Sequence, residues 1–225
     1  MSLRTLTLVY FLFLLGDIVG IIADVPMMRY VFKPLLMIVL GVGYYMQTRK
    51  PMQISSKWLL AAIALSWLGD VALIGTSDVA FQLGLVSFLL AHLAYIITFG
   101  KDIKAGGVSV LRKKPYFLLF FAAYWVAFLY LLRGIGDFFI PVVVYATVLL
   151  AMAAAAFNRY GWVSERSFKW VFMGALLFVF SDSLIATNKF LQAIPFADVW
   201  IMLLYTTSQY LIVRGCLMHE KESAT

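Results

Sequence analysis

Long apolar runs alternate with short polar joints along the chain. The joints contain glycine, proline and charged residues, which commonly end helices, whereas the runs contain few charged residues. A helix needs about 20 mostly apolar residues to cross the hydrocarbon core of a bilayer. The pattern therefore predicts transmembrane helices at residues 5–24, 29–47, 57–76, 79–100, 115–133, 137–157, 167–188 and 197–216.

The first of these segments has Arg4 in front of it, as a secretory signal peptide would. However, the apolar segment is longer than the core of a signal peptide, contains Asp17 and lacks a convincing small-residue cleavage site. We therefore expect this segment to remain in the protein as a membrane span.

The composition agrees with a membrane protein. Hydrophobic residues make up 64% and charged residues 13% of the 225 positions, whereas a soluble domain has about 25% charged residues. The sequence has no low-complexity tract and no polar block of domain size. These features predict an all-α, polytopic integral membrane bundle of eight transmembrane helices, forming one domain over residues 1–225.

Basic residues are divided unevenly between the two sides of this predicted bundle. If both termini lie on one side, the opposite side holds only Arg29, Arg133 and Lys189, and Lys33 lies within a span. The positive-inside rule then places both termini in the cytoplasm. The net charge of +7 belongs to short loops between spans, where it favours anionic lipid headgroups over nucleic acid. The basic residues assigned to the cytoplasmic side include Arg49, Lys104, Lys114 and Arg159.

Cysteine and histidine are too rare to form the common metal sites. Cys216 is the single cysteine, so the chain can form neither an intramolecular disulfide nor a cysteine-based metal site. His92 and His219 are the two histidines, and a three-histidine zinc site cannot be built from them. Metal catalysis through carboxylates alone stays open but has no support in the sequence, and we predict no bound metal.

Two aspartates, Asp70 and Asp182, lie deep inside apolar segments. An ionisable side chain at this depth costs about 2.5–3.5 kcal/mol on insertion scales, so it usually faces a protein interior and often marks a functional site. The competing interpretation is a hydrogen-bonding contact that joins helices.

Other polar residues fall at a similar predicted depth and suggest a polar chamber. Tyr145 and Tyr205 meet the level of the aspartates, Lys33 lies nearer the outer interface, and His92 and Gln209 lie deeper. Alternative roles are extension of the Lys33 amine to the interface, pairing of Asp17 with Lys33, and simple packing for the others. The candidate site residues are Asp17, Lys33, Asp70, His92, Tyr145, Ser181, Asp182, Tyr205 and Gln209.

A series of short motifs resembles the YhhN-like lysoplasmalogenase family of multi-pass membrane proteins. The order and spacing of the motifs match through nearly the whole chain. The motifs are Lys33-Pro34, Gly69-Asp70-x-x-Leu73, Phe88-x-x-x-His92-x-x-Tyr95, Gly174-Ala175-x-x-Phe178-x-x-Ser181-Asp182 and Tyr205-x-x-x-Gln209.

The resemblance implies an ether hydrolase that cleaves the vinyl-ether bond of lysoplasmalogens without a cofactor. The substrate would be an alkenyl lysophospholipid, and the products a fatty aldehyde and glycerophosphocholine or glycerophosphoethanolamine. A vinyl ether hydrolyses when its outer alkene carbon accepts a proton, which gives an oxocarbenium ion that water attacks. Two carboxyl groups in different protonation states can divide these tasks, as in glycosidases.

We hypothesise that Asp70 and Asp182 are this catalytic pair, although the sequence leaves open which one is the acid. Lys33 would bind the lipid phosphate as a point charge. Tyr145, Tyr205, Gln209 and His92 would position water or tune the pair, and Ser181 and Asp17 complete the substrate-binding set.

Two other function classes stay open from the sequence. A transporter or lipid flippase would also use polar groups at membrane depth, with Pro34 and Pro141 interrupting its helices. A lipid-binding scaffold would bind lysolipid without releasing aldehyde. The compact length favours a bacterial cytoplasmic membrane as the location. The oligomeric state is not predicted.

Overall fold

A computed structural model describes residues 3–48, 50–103, 110–113 and 115–223. All regular secondary structure in these residues is helical. The long helices are α1 (Leu3–Ile22), α2 (Pro26–Gln47), α3 (Ile54–Ala72), α4 (Asp78–Lys101), α6 (Tyr116–Leu131), α7 (Phe139–Asn158), α8 (Glu165–Phe190) and α9 (Ala197–Glu222), and the short ones are α5 (Val110–Lys113) and a 3-10 turn (Gly136–Phe138).

Each predicted span corresponds to one long helix, with differences at the ends. Helix α8 begins at Glu165 because the Ser164 hydroxyl accepts a hydrogen bond from the Ser167 amide at 3.2 Å and caps the helix. Helix α9 continues past the predicted end at residue 216 and reaches Glu222. The all-α prediction is confirmed in the described residues.

Six helices of the described chain are long and apolar enough to cross a membrane. Helix α6 has 16 residues and is shorter than a usual span. Helix α9 carries a run of polar residues in its middle, at positions 206–209. The six helical segments that qualify are Arg4–Ile22, Pro26–Gln47, Ile54–Ala72, Asp78–Lys101, Gly136–Asn158 and Glu165–Phe190.

The outer surface of the bundle is apolar, as expected for contact with lipid. On α1, Leu8, Leu12 and Leu15 follow the i, i+4, i+7 spacing of a single helix face, and all three are more than half exposed. In a soluble protein such a face would be covered, because large exposed apolar patches promote association.

Contacts between chain-distant residues show how the helices are oriented. At one end, which we call the terminal end, Thr7 bonds Tyr210 at 3.1 Å and Thr48 donates to Glu220 at 2.5 Å. The first and last helices therefore begin and end at the same end of the bundle. At the opposite end, which we call the far end, Lys189 donates to Asp78 at 3.1 Å.

Arg159 lies in the turn that follows α7, where the sequence predicts a loop, but it is not exposed there. Its side chain is fully buried at the terminal end, where it donates to the Asp102 carboxylate at 2.6 Å and to the Ser167 hydroxyl at 3.1 Å. A buried charge persists when it is paired and hydrogen-bonded in this way. Arg49, Lys104 and Lys114, which are predicted on the same side, lie outside the described residues.

Helices α8 and α9 approach each other closely at two glycines. A Cβ atom on Gly174 would lie 2.8 Å from the Ser208 carbonyl oxygen, and one on Gly215 would lie 3.0 Å from the Ser167 carbonyl oxygen. Small residues allow helix backbones to come this near in membranes. This contact fixes α8, which carries Asp182, against α9, which carries Tyr205.

We expect Gly174→Ala to destabilise the protein by about 1–3 kcal/mol, the usual range for overpacking a tight site. The added methyl group would meet backbone atoms of Ser208 and Ile212, which cannot rotate away. The thermal unfolding temperature in detergent measures the effect. Gly100→Ala is the matched control, because a methyl group added to this helical glycine would have no neighbouring atom within 4 Å. Equal unfolding temperatures for the two variants would contradict the prediction.

Candidate active site

Asp182 lies at a pocket between α4, α6, α7 and α8. The Tyr145 hydroxyl donates a short hydrogen bond to Asp182 Oδ2. Beside them, the hydroxyl groups of Tyr124 and Ser183 are hydrogen-bonded to each other. Among the residues that line this pocket, the polar side chains are these four: Tyr124, Tyr145, Asp182 and Ser183.

The rest of the pocket lining is apolar. The empty volume is about 620 Å³, including the open mouth. Most ligand pockets combine such an apolar lining with a few polar groups that fix orientation. An apolar ligand would match this lining, and a carboxyl group lies beside it. The apolar residues include Phe81, Leu85, Phe88, Phe128, Leu149 and Phe190.

Asp70 occupies a separate polar cluster between α3, α4 and α9. Its carboxylate is buried and accepts a hydrogen bond from the Tyr205 hydroxyl at 2.7 Å. One turn further along α9, the Gln209 amide donates to the Ser66 hydroxyl at 3.0 Å and its oxygen accepts from the Tyr95 hydroxyl. The Tyr205 hydrogen bond fixes the orientation of Asp70, and the Gln209 amide in turn donates to the Tyr205 hydroxyl at 3.4 Å.

An aromatic partition lies between the two aspartate clusters. The Phe178 ring is 4.7 Å from the His92 ring and 5.5 Å from the Tyr205 ring, measured between centroids. Phe88 completes the partition. Its ring packs closely against α3 at Gly69, where the absence of a side chain leaves room; a Cβ atom there would lie 2.6 Å from the ring. Each carboxyl group thus has its own tyrosine donor and its own surroundings, and of the two only Asp182 lines the pocket.

His92 is buried beside Asp182 without a direct hydrogen bond. Its Nε2 lies 4.0 Å from Asp182 Oδ2, which is beyond hydrogen-bonding distance. Neither ring nitrogen has a hydrogen-bond partner among the described residues. A polar ring left without a partner in a buried position is uncommon, and here it adjoins the carboxyl group at the pocket.

Three other predicted site residues lie away from the pocket. Asp17 is fully buried, and its nearest cation is the Arg29 guanidinium at 3.9 Å. Lys33 is 5% exposed instead of reaching the interface, and its ammonium lies within electrostatic range of Asp70. The Ser181 hydroxyl donates to the Ile201 carbonyl at 3.2 Å and so joins α8 to α9.

Sequence reasoning missed Tyr124 and Ser183 as residues of the pocket. Ser183 directly follows Asp182 in the chain, and this adjacency was an available signal. Tyr124 had no such signal, because it lies in a segment rich in aromatic residues without a motif.

Comparison with known proteins identifies the family. The model of the YhhN family matches residues 28–216 of the chain. The chain belongs to the YhhN family. The matched range contains every candidate site residue except Asp17, and it confirms the resemblance inferred from the motifs.

Lysoplasmalogenase TMEM86B is a relative found in several mammals. The human protein is 32% identical over 163 residues, which cover 71% of this chain and 63% of the human protein. The mouse protein is 32% identical over 164 residues, with 72% and 65% covered. The chain thus spans less than two thirds of the length of these relatives. No solved structure matches.

Proposed function

We propose that this YhhN-family protein is a membrane-embedded hydrolase that cleaves the vinyl-ether bond of lysoplasmalogens. One observation carries the proposal: a buried carboxyl group, Asp182, lies at a pocket whose lining is mostly apolar, as a hydrocarbon chain requires. The names of the mammalian relatives support the same reaction class.

We propose that Asp182 is the proton donor, because it is the aspartate that lines the pocket. Its Oδ2 accepts the Tyr145 hydrogen bond, which leaves Oδ1 to carry the transferable proton. Proton transfer to the outer alkene carbon makes the inner carbon part of an oxocarbenium ion. Water adds to that carbon and returns a proton to Asp182, and the resulting hemiacetal collapses to the aldehyde and the glycerol hydroxyl group.

His92 is the proposed positioning residue for this water. Its Nε2 lies near Asp182 and has no hydrogen-bond partner in the described residues, so it can accept a hydrogen bond from the water. This arrangement would direct the water toward the inner carbon while Asp182 accepts the released proton.

Asp70 is the proposed source of negative charge that stabilises the oxocarbenium ion. Tyr205 fixes its carboxylate, and the ammonium of Lys33 lies within electrostatic range. Charge stabilisation acts through space in a water-poor interior, where electrostatic interactions are strong. Asp70 can therefore contribute from behind the aromatic partition without contacting the substrate.

The proposal is tested by aldehyde release from a 1-alkenyl lysophospholipid with the purified protein in detergent. We expect aldehyde and the matching glycerophosphodiester in equal amounts. A transporter has no gradient in detergent and would leave the lipid intact. Intact lipid after incubation with folded protein would overturn the proposed activity.

Tyr145→Phe should lower kcat by about 10- to 100-fold. The variant keeps the ring but loses the hydrogen bond to Asp182. That bond stabilises the carboxylate that forms as Asp182 gives up its proton, and hydrogen bonds to charged groups contribute about 1.5–3 kcal/mol. The measurement is kcat for aldehyde release. Tyr130→Phe, on an exposed tyrosine of α6, is the control. A kcat equal to that of the wild type would remove Tyr145 from the mechanism.

We also propose that all eight long helices span the membrane, with both termini in the cytoplasm. The first and last helices share the terminal end, and the far end holds the few basic residues Arg29, Arg133 and Lys189. A fluorescent protein fused to the C-terminus should fluoresce in bacterial cells, and alkaline phosphatase fused there should be inactive. Active phosphatase would contradict this topology.

A further inference from the structure

At the far end of the bundle, a pair of opposite charges lies among aromatic rings. Lys189, at the end of α8, donates to the carboxylate of Asp78, at the start of α4, at 3.1 Å. Its ammonium lies 4.4 Å from the ring centroid of Phe81 and 5.8 Å from that of Phe138. Phe190 lies 6.0 Å from the same ammonium and contacts both other rings.

This charged group is continuous with the pocket. Phe81 and Phe190 line the pocket and also surround Lys189. The side chains of Lys189 and Asp78 are 31% and 71% exposed, so both are accessible to a ligand beside these rings.

The spacing along α8 relates this group to the proposed acid. Asp182 and Lys189 are seven residues apart on one continuous helix. Seven residues make about two turns, which places both side chains on the same face and about 10 Å apart along the axis. Ile185 and Ala186 line the pocket between them. In a lysophospholipid, the glycerol backbone separates the ether oxygen from the phosphate. That separation and the length of the lysine side chain together are comparable to the distance between Asp182 and Lys189 along the helix.

We propose that Lys189, Asp78 and the ring group of Phe81, Phe138 and Phe190 bind the zwitterionic headgroup of the lysophospholipid. The phosphate pairs with Lys189, and the cationic amine moves between Asp78 and the aromatic faces, which attract cations. In the complex, the phosphate takes the place of Asp78 as the partner of Lys189, and the amine takes the place of Lys189 as the partner of Asp78. This inference rests on the proposed function, because it places the vinyl ether at Asp182.

Lys33 does not fit the phosphate-binding role assigned to it from the sequence. Its side chain is 5% exposed, and the described residues of α2 contribute nothing to the pocket lining. Lys189 adjoins two rings that line the pocket, Phe81 and Phe190, and is the better placed of the two cations.

The Lys189–Asp78 pair is expected to contribute little to stability. Exposed ion pairs typically contribute about 0.2–1 kcal/mol. Substitutions at either position should therefore leave the fold intact and expose any effect on substrate binding.

The test compares substrates that differ only in the headgroup. With purified full-length protein, Lys189→Met should raise KM for 1-alkenyl-glycerophosphocholine by about tenfold or more, with kcat little changed. KM for 1-alkenylglycerol, which lacks phosphate and amine, should stay the same. Asp78→Asn should raise KM for the phosphocholine lipid but not for 1-alkenyl-glycerophosphate, which lacks the amine.

Two control variants test whether the change in KM comes from the charge of Lys189 or from the loss of any exposed cation. Lys189→Arg should keep KM for the phosphocholine lipid near the wild-type value, because it keeps the charge. Arg133→Met removes another exposed cation, which lies 4.1 Å from the Tyr130 ring and does not line the pocket, and should leave KM unchanged. Equal KM for Lys189→Met and wild type, or a parallel rise for 1-alkenylglycerol, would overturn the headgroup site.

Binding of a saturated 1-alkyl-glycerophosphocholine, which cannot be hydrolysed by this route, tests the site without turnover. Weaker binding by Lys189→Met than by wild type supports the headgroup site even if no aldehyde forms from any substrate. Equal binding by the two proteins, together with normal aldehyde release, overturns the headgroup site and leaves the hydrolase proposal standing.

Discussion

Asp182→Asn is expected to lower aldehyde release by about 10²- to 10⁴-fold, the range lost when a general acid is removed. The amide has nearly the same volume and still accepts the Tyr145 hydrogen bond, but it cannot donate a proton to carbon. The pocket keeps its shape, so substrate binding should change little. The expected result is a large fall in kcat with KM nearly constant, measured with 1-alkenyl-glycerophosphocholine in detergent.

Asp198→Asn is the control for this experiment. Asp198 is an exposed carboxylate at the far end, where it pairs with Arg29 at 2.8 Å and lies outside the pocket lining. Its loss should leave kcat near the wild-type value. If Asp182→Asn retains its thermal stability and also retains more than a tenth of the wild-type kcat, Asp182 is not the proton donor.

Asp70→Asn is expected to lower kcat by about 10²- to 10³-fold, the usual effect of removing one preorganised electrostatic group. The variant keeps the Tyr205 hydrogen bond at 2.7 Å through the amide oxygen but removes the negative charge. Because that charge is proposed to act only on the oxocarbenium ion, KM should stay constant. The measurement is the same aldehyde assay, read as separate kcat and KM values.

Tyr205→Phe tests whether Asp70 acts through its negative charge or through its fixed orientation. It keeps the carboxylate but removes its hydrogen-bond donor, so we expect a smaller fall in kcat than for Asp70→Asn. A rise in KM with unchanged kcat for Asp70→Asn would show that Asp70 supports substrate binding and not the charged intermediate.

The fold brings some of the predicted site residues together and separates others. Asp182 and Tyr145 meet at the pocket, and Asp70 and Tyr205 meet in the second cluster. The predicted single chamber is instead divided by Phe178. Depth along a span can be estimated from residue counting, but the face that a side chain presents depends on how the helices are rotated against each other.

Lys33 and Arg159 show the same limit for charged residues. Lys33 was placed near the outer interface and Arg159 in a loop between spans, and both side chains are buried. Arg159 stays buried because Asp102 and Ser167, which are distant in the chain, supply its hydrogen-bond partners. A charge next to a turn is normally exposed, and only the packing of other helices can reverse this.

The helical class, the eight long helices with their approximate ends, and membership of the YhhN family could all be inferred from the order of residues. These properties depend on local features: the length of apolar runs, the residues that end helices, and short motifs in order. Helix packing was needed to show that Asp182 lines the pocket while Asp70 lies behind an aromatic partition, and that Lys189 lies near two rings of the pocket lining. Those relations join residues from several helices, and the rotation and close contact of helices depend on packing at sites such as Gly69 and Gly174.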